Sequence, residues 1–124
     1  MDRLKIEPYD SKYQFDFEIL NREWIEEYFE MEQEDLNILQ NPEDYVIKKG
    51  GEVFFAILEN RVVGTAAMVL TTVGVYELAK MAVNKDYQGM GIGRSLLQRS
   101  IKSVSYTHLR AHETLRYLVC RLLL

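Results

Sequence analysis

Gln88-Gly-Met-Gly-Ile-Gly-Arg94 decides how the rest of this 124-residue chain is read. It lies between an apolar run, Val75 to Val83, and a set of residues (Ile92, Leu96, Leu97, Ser100 and Ile101) whose spacing is that of a helix face. Glycines between a strand and a helix let backbone amides converge on an anion at the helix amino terminus, where N–H groups lack partners and the dipole favours negative charge. Two well-known phosphate loops are excluded. The dinucleotide pattern Gly-x-Gly-x-x-Gly fails, because counted from Gly89 its last position holds Arg94 and counted from Gly91 it holds Leu96. A Walker loop fails too, since no Gly-Lys-Ser or Gly-Lys-Thr closes it.

Upstream, Asn60 and Arg61 separate two runs of strand formers, Val53 to Leu58 and Val62 to Leu70, which predicts a hairpin, and Gly50-Gly51 marks the turn before it. Arg3 to Glu7 alternates polar and apolar residues and stops at Pro8, as a short strand does. From Ser11 the period changes: Phe17, Leu20, Trp24, Tyr28 and Met31 fall on one helical stripe, with acidic residues on the other faces. A second helical stretch, roughly Glu32 to Leu39, ends near Asn41-Pro42, since the residue before proline is pushed out of helical geometry. The predicted order is β-α-α-β-β-β-α. There is no internal repeat or low-complexity linker.

With 48% apolar and 11% aromatic residues the chain has material for one core. Its apolar runs are far shorter than the roughly 20 residues that span a bilayer, and Met1 to Glu7 lacks an apolar signal core. A soluble, unexported, cytoplasmic protein with no membrane partner is expected. The single cysteine, Cys120, excludes an internal disulfide and a multi-cysteine metal site. Charge is uneven. Residues 1–60 carry 16 acidic and 6 basic side chains, residues 61–124 carry 3 and 9. The basic half suits a polyanionic ligand, and the acidic half suits a cationic or amine substrate and disfavours nucleic acid, although solvated acidic helix faces give the same count.

Gln88, Gly91 and Gly93 fill the pattern Gln/Arg-x-x-Gly-x-Gly/Ala. Together with the preceding Tyr76-Glu-Leu-Ala-Lys-Met-Ala-Val83 and the spacer Asn84-Lys-Asp-Tyr87, this stretch resembles the Gcn5-related N-acetyltransferase (GNAT) family. The resemblance extends over about residues 1–104, taking in the opening strand, the aromatic first helix and the hairpin. It implies an α/β (α+β) fold with a mixed, mostly antiparallel sheet flanked by helices, and acetyl-coenzyme A as acetyl donor. The loop amides of Gln88, Gly89, Met90, Gly91, Ile92, Gly93 and Arg94 would then bind the pyrophosphate, with the Arg94 guanidinium adding charge. The backbone of Met81, Ala82 and Val83 would pair with the pantetheine arm where the family's strand splays from its neighbour.

The implied reaction is direct attack of a primary amine on the acetyl carbonyl, with a small-molecule or peptide amine as acceptor and a homodimer as one further option for partners. An amine must be neutral to attack, so a carboxylate acting directly or through water is a sensible base, and Glu77, six residues before Val83, stands where several family members hold one, while others use another residue or water alone. The strand amide near Met81 would polarise the thioester oxygen. For Glu77 the alternative is a solvent-facing or merely substrate-orienting residue, and for the protein a non-catalytic acetyl-coenzyme A-binding module or an inactive truncated fragment. Lys80 in an unbroken strand would face away from Glu77, and it reads as a structural lysine, salt-linked or snorkelling, rather than a catalytic one. Trp24, Tyr28 and Phe29 lie where the family's first helices wall the acceptor pocket, with core packing as the default role of their stripe.

Beyond Val104 the family pattern, which continues with a fifth strand, a helix and closing strands, is not met, and neither Tyr106 nor Tyr117 aligns with its thiolate-protonating tyrosine. Residues 104–124 instead resemble translated sequencing-adapter read-through. The expected division is a partial acetyltransferase domain over 1–104 and a non-native tail over 105–124. His108 and His112 are four apart, but the pattern His-Glu-x-x-His fails and no metal site is expected.

Overall fold

Val53-Phe-Phe-Ala-Ile-Leu58 is apolar at every position because both faces of its strand are covered. The computed structural model describes residues 3–72, 75–103 and 108–109. Its elements are β1 (Lys5–Pro8), α1 (Gln14–Tyr28), α2 (Gln33–Gln40), β2 (Glu52–Leu58), β3 (Arg61–Thr72), β4 (Val75–Val83), α3 (Ile92–Ser103) and β5 (His108–Leu109). The strands lie in the order β1-β2-β3-β4-β5. The first four pair antiparallel, and β5 runs parallel to β4 through Val75↔His108 and Tyr76↔Leu109. The mixed α/β architecture and the element order match expectation.

Alternation along β2 sends its side chains to two cores. Phe54, Ala56 and Leu58 pack with Ile92 and Leu96 of α3, whereas Val53, Phe55 and Ile57 pack with Phe17, Leu20 and Ile25 of α1 and Leu39 of α2. Helix α3 comes close because Gly64 of β3 has no side chain: a Cβ there would sit 3.0 Å from Leu96 Cδ1 and 3.2 Å from Ile92 Cγ2. The Arg99 guanidinium also lies over the Phe54 ring, 4.6 Å from its centroid.

Three local features depart from the sequence expectation. The β2–β3 turn is Glu59-Asn60, one residue earlier than expected, with φ of 51° and 64°, the left-handed pair that matches strand twist in a two-residue hairpin. A π-type turn, Glu43–Ile47, buries Val46 between α2 and β2. The parallel β5 is a strand that the sequence did not mark. Tyr106, His112, Tyr117 and Cys120 lie outside the described residues, as does the rest of 110–124.

The feature that matters most for function is a bulge in β4. Pairing runs Val69↔Glu77 and Met68↔Leu78, then Ala67↔Lys80, leaving Ala79 without a partner on β3. Side-chain alternation therefore changes phase at Ala79. Glu77 and Lys80 point to the same face, that of α1 and α2, not to opposite faces as an unbroken strand would have them. Leu78, Met81 and Val83 share the α3 face.

Candidate active site

The glycine loop is held from both ends. The Asn84 N–H donates to Val63 O (2.8 Å), and its own Oδ1 accepts from the Asp86 N–H (2.9 Å), which closes a 3-10 turn over Lys85–Tyr87. Gln88 Nε2 reaches back to donate to Val83 O at 3.1 Å. Arg61 stacks on Tyr87, 5.7 Å from the ring centroid. Between these anchors Gly89 and Gly91 have φ of 81° and 84°, a conformation that costs an L side chain about 1–2 kcal/mol or more. A Cβ built on either meets nothing within 4 Å, so open space lies over the loop.

The Ser95 N–H donates to Gly91 O (3.0 Å), making Gly91 the residue on which α3 starts. The amides of Ile92, Gly93 and Arg94 thus precede the first helical hydrogen bond and have no partner within the helix. Ile92 and Gly93 are buried, whereas Gln88, Gly89, Met90, Gly91 and Arg94 are exposed. The structure therefore brings together an open glycine surface, free helix amides and a cationic side chain. Met81, Ala82 and Val83 are buried by side chain. Among the described residues their strand is paired only on its β3 side, since β5 reaches no further than Tyr76.

Three cavities follow β4 on its α1 and α2 face. The first, about 270 Å³, is lined by Glu77, Leu78, Ala79 and Lys80 against Glu34, Asp35, Ile38 and Val69. The second, about 470 Å³, is bounded by Ala79, Lys80 and Met81 with Asn21, Trp24, Phe29, Glu30, Glu32 and Asp35. The third, about 230 Å³, runs past Trp24 and Tyr28 to Val83, Lys85 and Gln88 at the loop. Two partitions divide this track. Trp24 lines both the second and third cavities; Asp35 and Lys80 line both the first and second.

Of the two structural roles open to Lys80, the structure shows the salt link: Nζ lies 2.9 Å from Asp35 Oδ1, with side-chain exposures of only 14% and 20%. The other carboxylate oxygen, Oδ2, accepts from the Glu32 N–H at 3.0 Å. Burial pushes the Asp35 carboxyl up, but the hydrogen bonds from Lys80 and Glu32 N–H and the Lys80 charge outweigh it and hold the group below its usual value. A lowered carboxylate pKa adds stability above the unfolded value near 4, and that stability is lost as pH falls through the folded value. Lys80→Met should thus cost about 1.5–3 kcal/mol at pH 7 and flatten the rise in stability between pH 3 and pH 5, measured by urea denaturation across that range.

Asn21 was not marked by the sequence. It lies one turn from Phe17 and one from Ile25 on the buried side of α1, fully buried. Nδ2 donates to Phe17 O at 2.9 Å, which fixes the amide orientation, and among the described residues Oδ1 has no partner. An orphaned buried acceptor costs about 1–3 kcal/mol. The signal available in the sequence was a polar residue inside an apolar i, i+4, i+8 series. The Trp24 and Tyr28 rings meet at a tilt, with centroids 4.4 Å apart, and Trp24 meets Phe29 at 6.5 Å. Tyr28 and Phe29 are half exposed beside the cavities, while Trp24 packs against both cores.

An antiparallel sheet whose fourth strand bulges and then runs into a glycine loop and helix is an acetyltransferase architecture. The model of the acetyltransferase (GNAT) family matches residues 17–120, and the chain belongs to that family. No curated protein matches it in sequence. Among solved structures it is similar to an acetyltransferase of the GNAT family from Staphylococcus aureus Mu50, with 23% identity over 84% of this chain and 67% of that one and a TM-score of 0.75. It is also similar to an acetyltransferase from Streptococcus agalactiae 2603, with 17% identity over 98% and 83% and a TM-score of 0.68. A GNAT family acetyltransferase from Elizabethkingia anophelis, solved with acetyl-CoA bound, gives 20% identity over 98% and 75% and a TM-score of 0.62. At these identities the likeness is one of fold.

Proposed function

We propose that this chain transfers an acetyl group from acetyl-coenzyme A to a primary amine by direct attack. The observation that carries the reading is the continuous run of bulged strand, glycine loop and helix start, with open space over the loop and free amides at the start of α3. The amides from Gln88 to Arg94 would hold the pyrophosphate, aided by Arg94, and the β4 backbone over Met81 to Val83 would hold the pantetheine amides. The acceptor amine would enter the cleft of about 470 Å³ beside Met81. Its nitrogen attacks the acetyl carbon, the carbon–sulfur bond breaks, the proton on nitrogen passes to Glu77 directly or through water, and the thiolate leaves and takes a proton from solvent. The strand amide near Met81 would stabilise the oxyanion.

The Asp35–Lys80 pair stands between Glu77's cavity and the larger cleft, so proton transfer through an intervening water suits Glu77 better than direct contact. This partition also favours a second reading, a module that binds acetyl-coenzyme A without transfer. Thiol release from acetyl-coenzyme A over a panel of amines separates the two: no release with any amine, in protein that binds the coenzyme, would reject the enzyme. Glu77→Gln should lower turnover about 10²–10⁴-fold near neutral pH, with the deficit shrinking in alkaline buffer that deprotonates the amine unaided. A uniform loss across pH, or none, would remove Glu77 from the role of base.

A further inference from the structure

Glu77's cavity of about 270 Å³ and the neighbouring cleft of about 470 Å³ share three lining residues, Asp35, Ala79 and Lys80. The Asp35–Lys80 ion pair stands between the two spaces and is tied at both ends. Lys80 Nζ is 2.9 Å from Asp35 Oδ1 of α2 and also donates to Ala79 O at 3.4 Å, so its side chain curls back over its own strand. Asp35 Oδ2 in turn accepts from the Glu32 N–H at 3.0 Å. Because the bulge at Ala79 puts Glu77 and Lys80 on one face, the lysine comes to lie between Glu77's cavity and the cleft. Both side chains of the pair are largely buried, and parting them would leave uncompensated charge in a partly dry space. The pair is thus a fixed wall. Beyond it the smaller cavity offers apolar surface from Ile38, Val69 and Leu78.

We infer that Lys80 determines the length of the acceptor: the wall it forms with Asp35 stops the acceptor's chain at the end of the larger cleft and restricts the protein to short primary amines. Removing the wall joins the two spaces and admits longer amines. This assignment rests on the acetyl-transfer reading for the identity of the ligand, but the wall is tested by binding alone. Each methylene moved from water to an apolar site favours binding about fourfold, so chain length is a sensitive probe of where the space ends.

Trp24, the single tryptophan of the chain, lines the larger cleft, and its fluorescence reports occupancy. The test titrates 1-aminobutane and 1-aminooctane into the full chain. In the parent the two should bind within about threefold of one another, since the extra methylenes of the octyl compound meet the wall; burying them all would favour it about 100-fold or more. Asp35→Asn with Lys80→Ala opens the wall and should raise the octyl-to-butyl preference about tenfold, the gain from about two buried methylenes. Asp35→Asn with Lys80→Met removes the same charges but keeps a long side chain in place, so its preference should stay at the parent's value. Asparagine retains an oxygen for the Glu32 N–H, and neither double variant leaves a buried ion unpaired, so both should fold, as thermal melts read. A parent preference for the octyl amine of about tenfold or more, or no binding of either amine, overturns the assignment whether or not the variants fold. Equal preferences in the two double variants also overturn it and return the pair to a structural role. Binding with the expected length dependence but without thiol release from acetyl-coenzyme A would instead refute acetyl transfer while the wall stands.

Discussion

Gly91→Val should lower affinity for acetyl-coenzyme A about 100-fold while the protein stays folded. Gly91 is at φ 84°, where a β-branched residue is strained by about 1–3 kcal/mol if the loop keeps its shape. If the loop relaxes instead, the amides of Ile92, Gly93 and Arg94 move away from where a pyrophosphate would meet them, and charge-assisted hydrogen bonds are lost. The valine side chain would also occupy the open space over the loop, since nothing of the protein lies within 4 Å of that Cβ position. The strain and the obstruction act together on binding. Gly91 is exposed at the start of α3 and supports no core packing, so the melting temperature should fall only modestly. Isothermal titration with acetyl-coenzyme A beside a thermal melt reads both; an affinity within threefold of the parent would remove the loop from the coenzyme site.

Phe55→Ala is the expected extreme in stability. Phe55 is fully buried in β2, with the rings of Tyr13, Tyr9 and Phe17 at centroid distances of 5.2, 6.3 and 6.4 Å. Emptying that position should cost about 3–5 kcal/mol, and the loss of ring pairing adds to the transfer term. Domains of this size are stable by only about 5–15 kcal/mol, so much of the fold's margin disappears. Phe15, 71% exposed on the outer face of the same first helix, is the control: Phe15→Ala should stay within about 0.5 kcal/mol of the parent. Urea unfolding midpoints of the two variants test the pair, and a Phe55→Ala midpoint close to that of Phe15→Ala would show that the α1 face of the sheet is not packed as described.

How far the sequence reveals this molecule depends on the range of the interaction. Gly89 and Gly91 announce the loop because positive φ is a local demand that glycine answers. The hairpin and α3 are equally local. The bulge leaves no trace, since Leu78, Ala79 and Met81 are acceptable to either phase of a strand and one unpaired residue does not disturb composition. Asp35 and Lys80 are far apart in sequence, and nothing in either position names the other; only folding α2 against β4 joins them. Asn21 sits in a helix whose exposed faces are polar, so its burial becomes visible only once Phe17 and Ile25 are known to pack inward. The candidate coenzyme loop was therefore legible and the buried Asn21 beside the larger cleft was not.

The extra residue in β4 has a consequence for engineering. Counting back from Met81 and Val83 by twos without the bulge would set Glu77 on the α3 side, with a carboxylate aimed into the core that Leu78 now fills. The strand therefore consists of two independent halves joined at Ala79. Chimaeras between this protein and its relatives should be cut so that each half travels whole and Ala79 is kept between them; a graft that drops one residue across that joint would exchange inside for outside in everything upstream of it.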